Sequence, residues 1–395
     1  DYGEVQIKQL NDRSKMYYTP NKENNVFQLV VQYGAGEREF PKLGYAAQLM
    51  NNAGIMGAYE PQELKEELSK LNATCHVTAD DDNLYIIMEG YEATLPQACQ
   101  LLSRQILMPK LDEKQLARLK GSAMGMRQQR KDNVSILNEA LRQYMLYGEK
   151  SDYIKELTDK EIYELQISEL TGDINRASNY EAKVFFTGTL PFDQVYDILS
   201  KNLPLVANER PSNSPQAKDM MPVTENTVYF LPNNDAEQAQ IHLYIPMQKA
   251  DKKDDVLRSA FNQYFGLDFT GIVLNEIREK RSMAYTAYAF VGTQGIAGKA
   301  SYLRGYIGTQ NDKANDALDV LMGLVNDMPK NPERIDNIKS YLRQAMLTSH
   351  PSFRNKAMEL VDLGYRGYTD DPAKENLPKV DALTFDDIVK FYEEN

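Results

Sequence analysis

Histidine is the side chain that most often builds catalytic and zinc sites. This chain of 395 residues has three histidines, His76, His242 and His350, and no two of them share a local motif. His76 and His242 alternate with apolar neighbours in predicted strands, whereas His350 precedes a proline at a predicted helix end. Zinc sites combine several such ligands at short, regular spacings. The pattern therefore favours three isolated histidines over a metal site.

Other reactive residue types give equally weak signals. Cys75 and Cys99 lack a C-x-x-C partner, so they are interpreted as two buried small side chains. The aspartates of residues 80–82 could bind a cation, but with Asn83 they are more typical of a solvated hairpin turn. The chain also has no G-x-S-x-G nucleophile motif and no P-loop. An autonomous hydrolase with a site of another kind has little support.

Composition excludes several classes of protein. Hydrophobic residues make up 42% and charged residues 26%, which is the range of a globular chain rather than a disordered or fibrous one. The formal net charge is −12, so a nucleic-acid partner is not expected. No apolar run reaches the roughly 18 residues that a membrane-spanning helix needs.

Similar segments recur along the chain in the same order. Met108-Pro109-Lys110 returns as Met328-Pro329-Lys330. Residues 64–75 and 274–285 lie 210 positions apart, and each predicts a helix, a short turn and a strand. Thr158 and Thr384 each begin a capping box, with an acidic residue three positions later. These repeats predict one α/β unit of about 200 residues that occurs twice.

The predicted fold class is α+β, with two homologous α/β units. Strands mix with long helices and hairpins, which favours a largely antiparallel sheet with helices packed on it in each unit. The first unit is predicted over residues 1–204 and the second over residues 227–395. Residues 205–226 form a proline-bearing linker without hydrophobic periodicity.

Three finer expectations come from local patterns. Residues 15–19 and 26–33 are predicted to pair as a hairpin across Pro20. Residues 112–147 predict a long helical region, and the second unit is predicted to start at residues 227–231.

The predicted order of strands and helices resembles that of the pitrilysin (insulinase-type) zinc metallopeptidase family over nearly the whole chain. Residues 33–39 resemble the strand and loop that precede the family's metal-binding helix. Residues 44–51 then stand where active members carry H-x-x-E-H. The resemblance implies the metallohydrolase-like fold of that family. There, two paired units form one half of a clam-shell, and two halves enclose a peptide.

The zinc chemistry is missing at that place. The inverted zincin motif needs two histidines and a neighbouring carboxylate, and here those positions hold Ala47, Met50 and Asn51. The family's third ligand is a glutamate on a long downstream helix, but residues 116–131 contain no acidic residue. The resemblance therefore implies no zinc site in this chain, with zinc expected in a homologous partner half.

The second unit keeps a different family feature. Many active members take an arginine and a tyrosine, seven residues apart, from the half without zinc. Arg278 and Tyr285 match that motif, with Arg281 as the runner-up arginine. A guanidinium and a phenol can donate hydrogen bonds to a peptide carbonyl. Arg278 could instead end a surface helix, with Tyr285 in the core.

The resemblance implies the non-zinc half of a two-half metallopeptidase, inactive by itself, that supplies Arg278 and Tyr285 to the cleft. Its expected partners are a peptide substrate and a zinc-bearing half, which is either part of the same polypeptide upstream or a separate subunit. The alternative is a catalytically inactive family member that acts as a binding or assembly subunit. Export from a bacterial cell to the periplasm fits the family, but no residue here determines the compartment.

Overall fold

The computed structural model describes residues 2–234, 236–267 and 269–395. Its strands, in chain order, are β1 Gln6–Gln9, β2 Lys15–Pro20, β3 Val26–Tyr33, β4 Gly54–Ile55, β5 Thr74–Ala79, β6 Leu84–Tyr91, β7 Pro109–Lys110, β8 Ala182–Gly188, β9 Gln238–Lys249, β10 Thr286–Thr293 and β11 Ala300–Gln310.

The helices are more numerous than the strands and several carry clear sequence signals for their first turns. They are α1 Leu43–Met50, α2 Pro61–Lys70, α3 Leu95–Leu107, α4 Glu113–Arg130, α5 Val134–Tyr147, α6 Asp152–Lys155, α7 Asp159–Tyr163, α8 Ile167–Ala177, α9 Phe192–Asn202, α10 Asp255–Phe265, α11 Ile272–Leu274, α12 Ala314–Asn326, α13 Ile335–Thr348, α14 Lys356–Tyr365, α15 Pro372–Ala382 and α16 Phe385–Glu394. Thr158 and Thr384 form the predicted capping boxes at α7 and α16.

The strands form one large sheet, one smaller sheet and a two-stranded ribbon. The large sheet has the order β1-β2-β8-β3-β6-β5, and the smaller one has the order β10-β11-β9. In the large sheet β2 and β8 are parallel, and the other neighbours are antiparallel. The small sheet is antiparallel throughout. The predicted α+β class, with largely antiparallel sheets, is confirmed.

The predicted hairpin between β2 and β3 is wrong, although both strands exist. Strand β8 lies between them, parallel to β2 and antiparallel to β3. This strand begins at Ala182, far along the chain. A local turn signal predicts that the chain reverses, but it cannot show that a distant strand will insert between the two arms.

The structure adds detail to two other local expectations. Residues 227–231 form no strand, and Val228 and Phe230 are 86% and 82% exposed. The long helical region divides into α4 and α5 at residues 131–133. There the Asn133 side chain accepts a hydrogen bond from the backbone N–H of Ile136, which starts a new helix.

The chain groups into two compact units with interleaved segments. The first comprises Asp1–Lys131, Glu156–Gln216 and Pro351–Val361, and the second comprises Asp132–Lys155, Ala217–His350 and Asp362–Asn395. Each unit has its own apolar core. The core of the first unit is built around β3, α1, α3 and α8, and the core of the second is built around β10, β11, α10 and α16. No helix among the described residues is both long and apolar enough to cross a membrane.

The two units share a three-strand arrangement. The first contains the order β3-β6-β5 and the second contains β9-β11-β10, so corresponding strands neighbour each other in the same sequence. Helix α8 packs on α1 in the first unit, and α16 packs on α10 in the second. This equivalence pairs α16 with α8, rather than with α7 as the two capping boxes indicated.

Candidate functional site

The segment that carries Arg278 is anchored by buried apolar residues. In α11, Ile272, Val273 and Leu274 are all buried, and the chain continues as a wider π-helix over Asn275–Glu279. Ile277 is fully buried, so the next side chain, Arg278, projects toward the surface. Single π-helical turns are frequent at functional sites.

A tight reversal follows the π-helix and delivers Tyr285 to the small sheet. Ser282 has a positive φ of 50°, which is uncommon for a residue other than glycine. Its backbone N–H donates to the Arg278 carbonyl at 2.8 Å, and the Met283 N–H donates to the Ile277 carbonyl at 2.9 Å. The Tyr285 N–H then donates to the Gly308 carbonyl of β11 at 2.8 Å. The backbone therefore holds Arg278 and Tyr285 on one reversal.

Arg278 and Tyr285 line the same groove, which we call the Arg278 groove. Its lining residues are Arg278, Glu279, Ser282, Met283, Ala284, Tyr285, Gln310 and Lys313. The Arg278 side chain is 45% exposed and Tyr285 is 52% exposed. The alternative interpretation of Tyr285 as a core aromatic is therefore wrong, and both side chains are accessible to a ligand.

The groove is rich in hydrogen-bond donors. The Arg278 guanidinium has one ion pair among the described residues, with Nε 3.6 Å from Oε1 of the adjacent Glu279. Gln310 donates from Nε2 to the Tyr285 hydroxyl oxygen at 3.2 Å, and Lys313 donates from Nζ to the Ser282 carbonyl at 3.2 Å. Guanidinium and ammonium groups can only donate, so the groove suits an acceptor such as a carbonyl or carboxylate oxygen.

The runner-up arginine, Arg281, has a structural partner instead. Its Nη1 lies 2.6 Å from Oε2 of Glu276 and donates to the Glu276 carbonyl at 2.7 Å. Lys280 donates to the other Glu276 carboxylate oxygen at 2.6 Å. Hydrogen bonds from Lys280 and then Arg281 hold the pKa of Glu276 below its usual value. Arg281 thus closes a local ion-pair cluster and does not line the Arg278 groove.

In the first unit, the place of the family's metal motif is occupied by packing side chains. Ala47 and Met50 are each 1% exposed within the core. The Asn51 side chain donates to the Val77 carbonyl at 2.9 Å and accepts from the Val77 N–H at 2.8 Å. Its amide satisfies the backbone of the edge strand β5. The residues at these three positions do not fit a zinc ion.

No cluster of three or more metal-ligating side chains occurs within residues 2–234, 236–267 and 269–395. His242 is partly buried with Nε2 2.8 Å from Asn138 Oδ1, and burial followed by the Arg304 charge lowers its pKa to about 4. Burial raises the pKa of the Cys75 and Cys99 thiols to about 12, so both are protonated at neutral pH. None of these groups is placed as a nucleophile or ligand.

The predicted aspartate turn is also a structural feature. Asp80 Oδ1 accepts hydrogen bonds from the backbone N–H groups of Asp82 and Asn83 at 2.8 and 2.7 Å. Arg38 Nε lies 2.8 Å from Asp82 Oδ1. The carboxylates therefore close the β5–β6 turn and bind an arginine.

Local sequence reasoning missed Gln310 and Lys313 as groove residues. Gln310 is the last residue of β11, and Lys313 lies just before α12. Both follow Tyr285 by more than twenty positions. Only the antiparallel pairing of β10 with β11, in which Thr286 faces Gly308, brings them beside the reversal. A register prediction for the two strands would have been needed to find them.

The chain is similar to known proteins in part of its sequence and in its fold. The family model described as peptidase M16 inactive domain matches residues 178–342. No curated protein gives a significant match to the sequence. The family match confirms the resemblance to the pitrilysin-type metallopeptidases and, within them, to the half without zinc. The matched residues include the whole segment from α11 to β11 that forms the Arg278 groove.

Solved structures share this fold at low sequence identity. A peptidase M16 inactive domain from Pseudomonas fluorescens is 18% identical with a TM-score of 0.72, and the match covers 99% of this chain and 95% of that one. The periplasmic protease PqqL from Escherichia coli is 14% identical with a TM-score of 0.74, over 98% of this chain and 44% of PqqL. The ferredoxin protease FusC, solved with Arabidopsis ferredoxin, is 12% identical with a TM-score of 0.74, over 99% of this chain and 43% of FusC. The chain thus spans less than half the length of these two proteases.

Proposed function

We propose that this chain acts as the non-zinc half of a two-half zinc metallopeptidase and supplies Arg278 and Tyr285 to the bound peptide. The observation that carries the proposal is the Arg278 groove, in which both side chains are exposed and their donors face one space. The match to an inactive peptidase domain supports it, as does the fold shared with two proteases more than twice as long.

The groove suits the task of holding a peptide carbonyl. The Tyr285 hydroxyl and the Arg278 guanidinium can both donate to one oxygen, and they are positioned by a rigid reversal rather than a free loop. Donors fixed in advance contribute most when negative charge develops on the oxygen they contact. In this proposal the chain encloses substrate and stabilises that charge, whereas the zinc and its water belong to a partner half.

Two tests address the proposal in its simplest form. The chain alone should hold no stoichiometric zinc after dialysis and should cleave no fluorogenic casein-derived peptide. The assembly purified with its zinc-bearing half should cleave that peptide in a chelator-sensitive reaction. In the assembly, Tyr285→Phe should lower kcat by about 10²–10³-fold, because one donor to the oxyanion is lost and the ring remains. Arg278→Ala should lower kcat/KM comparably, since it removes a charge and several donors.

Matched controls distinguish these effects from general damage. Arg281→Ala removes an arginine three residues away that binds Glu276 instead of lining the groove. Tyr341→Phe removes a phenol hydroxyl from a residue that is 49% exposed on α13. Both should leave turnover within about twofold. Near-normal turnover in Tyr285→Phe and Arg278→Ala would instead favour the second function, a binding or assembly subunit that retains the fold.

The duplication of one unit remains part of this proposal. Its support is the shared strand order of the two sheets and the equivalent packing of α8 and α16. Superposition of residues 4–204 on residues 227–395 should align β3, β6 and β5 with β9, β11 and β10. A different path between these strands would contradict the duplication.

A further inference from the structure

Gln310 touches the Tyr285 hydroxyl from the neighbouring strand. Its Nε2 lies 3.2 Å from the phenolic oxygen, and both side chains are exposed in the Arg278 groove. The backbone contact from Tyr285 N–H to the Gly308 carbonyl fixes the relative position of the two residues. Gln310 is two residues beyond Gly308 on β11, where it pairs with Gln238 of β9, and Tyr285 immediately precedes β10.

The direction of this hydrogen bond determines where the phenol proton can go. An amide N–H only donates, so it occupies a lone pair of the Tyr285 oxygen. The hydroxyl proton then has to point to another acceptor. A phenol O–H rotates readily, and an acceptor at the Gln310 position would take this proton instead.

We infer that Gln310 is a positioning residue that keeps the Tyr285 proton directed at a substrate oxygen. This inference rests on the proposed function and adds a residue that acts on substrate only through Tyr285. The ligand class is an acceptor oxygen without a proton of its own, as in a peptide carbonyl or the oxyanion formed from it. A ligand group that donates a hydrogen bond would gain nothing from this arrangement.

Two substitutions separate orientation from simple loss of a contact. Gln310→Glu keeps the shape of the side chain but replaces the donor by a carboxylate, which accepts the Tyr285 proton in a charge-assisted bond. Gln310→Ala removes the contact and leaves the hydroxyl free to rotate. Gln238→Ala is the matched control, because Gln238 faces Gln310 on β9 without contacting Tyr285.

The first readout is the Cζ resonance of Tyr285 in tyrosine-labelled protein, assigned by its loss in Tyr285→Phe. This resonance reports whether the hydroxyl donates or accepts. Gln310→Glu should shift it to the range of a phenol that donates to a carboxylate, and Gln310→Ala should shift it toward the value of a solvated tyrosine. Gln238→Ala should leave it in place. An unchanged resonance in Gln310→Glu would show that the side-chain oxygen, not the nitrogen, faces Tyr285, and would overturn the inference.

The second readout is cleavage of the casein-derived peptide by the assembled enzyme. Gln310→Glu should lower kcat about as much as Tyr285→Phe, by about 10²-fold or more, and should cost nothing further when added to Tyr285→Phe. Gln310→Ala should lower kcat by about three- to tenfold. Additive effects of Gln310→Glu and Tyr285→Phe would overturn the inference, because they would show that Gln310 acts independently of the hydroxyl.

The two readouts distinguish failure of this inference from failure of the proposed function. If Tyr285→Phe and Arg278→Ala both leave turnover unchanged, the proposed function fails whatever the resonance does. If Tyr285→Phe impairs turnover but Gln310→Glu changes neither the resonance nor the rate, the proposed function stands and Gln310 has no positioning role.

Discussion

Two turns in this protein share a residue with a left-handed φ but differ in the side chains that they present. Asn72 in the first unit has a φ of 51°, and Ser282 in the second has a φ of 50°. These residues lie 210 positions apart, the separation that relates residues 64–75 to residues 274–285. Each turn links a helix to the edge strand of its sheet, β5 in one unit and β10 in the other.

The side chains at equivalent positions differ in chemistry. Where the second unit places Arg278 and Tyr285, the first places Leu68 and Cys75, which pack against the apolar core. Cys75 also has a thiol pKa raised by burial. A helix that ends in a left-handed residue is therefore a common scaffold for both turns. The capacity to bind a polar ligand depends on which side chains flank that residue and on whether the helix projects them toward the core or toward solvent.

The second turn is also wider than the first. In the first unit the Ala73 N–H donates to the Leu68 carbonyl at 3.0 Å, a five-residue separation. In the second the Met283 N–H reaches back to Ile277, a six-residue separation that follows from the π-helix. The two turns have the same number of residues, so only the hydrogen-bonded ring differs: Leu68 packs against the core, whereas the Arg278 side chain is 45% exposed. At corresponding positions, the tighter turn therefore carries a side chain that packs on the core, and the wider turn carries one that is exposed.

The largest expected effect comes from giving the second turn the side chains of the first. Arg278→Leu combined with Tyr285→Cys removes both donors from the groove while the backbone scaffold remains. Turnover by the assembled enzyme should fall by about 10³-fold or more, since loss of one oxyanion donor alone costs about 10²–10³. Initial rates with a fluorogenic peptide would measure this.

The control for this exchange lies in the first turn. Cys75→Ala changes the position equivalent to Tyr285 and should leave turnover close to that of the parent. A similar loss from both changes would mean that the turns contribute through folding alone and would remove the distinction between them.

A smaller effect is expected for Asn51, which stands at the place of the family's metal motif in the first unit. Asn51→Ala leaves the Val77 N–H and carbonyl of β5 without their side-chain partner. Loss of hydrogen bonds to partly buried backbone groups should lower the free energy of unfolding by about 1–3 kcal/mol. Urea unfolding of the isolated chain, followed by circular dichroism, measures this change.

The neighbouring residue provides the comparison for Asn51. Asn52→Ala removes an exposed contact with Lys65 and should change the free energy of unfolding by less than about 0.5 kcal/mol. Equal effects at both positions would contradict a structural role for the Asn51 amide at the sheet edge.

The left-handed residues of the two turns can be compared by substitution with glycine. Ser282→Gly should stabilise the protein by about 0.5–1 kcal/mol, because serine bears a left-handed conformation at a cost that glycine avoids. Asn72→Gly should change stability by about zero, since asparagine tolerates this conformation. Urea midpoints of the two variants give the comparison. A larger gain at Asn72 than at Ser282 would contradict the strain assigned to the second turn.

The smallest effect concerns the ion pairs behind the second turn. The pKa of Glu276 is held below its usual value, so its contribution to stability is present above the unfolded-state pKa and is lost as the pH falls through the folded-state pKa. Glu276→Gln should lower the free energy of unfolding by about 0.5 kcal/mol at pH 7, as expected of solvent-screened pairs. The difference from the parent should close below about pH 4.

Glu279→Gln is the matched change on the groove side, where the contact with Arg278 is long and exposed. It should leave stability almost unchanged across the same pH series. If the free energy of unfolding of Glu276→Gln stayed below that of the parent at low pH, the Glu276 side chain would act through packing and not through charge.

Local sequence signals predicted many elements correctly. The capping boxes at Thr158 and Thr384 start helices, and the strands predicted at residues 15–19 and 26–33 form β2 and β3. Caps and alternation depend on neighbouring residues, so one sequence window is sufficient to detect them. The absence of histidine and glutamate at Ala47, Met50 and Asn51 is likewise readable without a structure.

Long-range pairing was where local signals failed. Nothing near Pro20 indicates that β8 separates β2 from β3. Residues 227–231 carry an apolar run that could form a strand, but among the described residues it has no strand to pair with, and Val228 and Phe230 are exposed. An alternating segment becomes a strand only when another strand supplies the hydrogen bonds, and that supply is a tertiary property.

The sequence by itself determined the class of fold, the missing ligands of the first unit, and the seven-residue spacing of Arg278 and Tyr285. These depend on residue identity and on short-range patterns. Only the tertiary structure decided that Arg278 lines the groove while Arg281 binds Glu276, and that Gln310 and Lys313 join the groove. The physical reason is that helix winding and strand register determine how exposed a side chain is and which other side chains lie beside it. Both are set by the packing of Ile277 in the core and the pairing of β10 with β11.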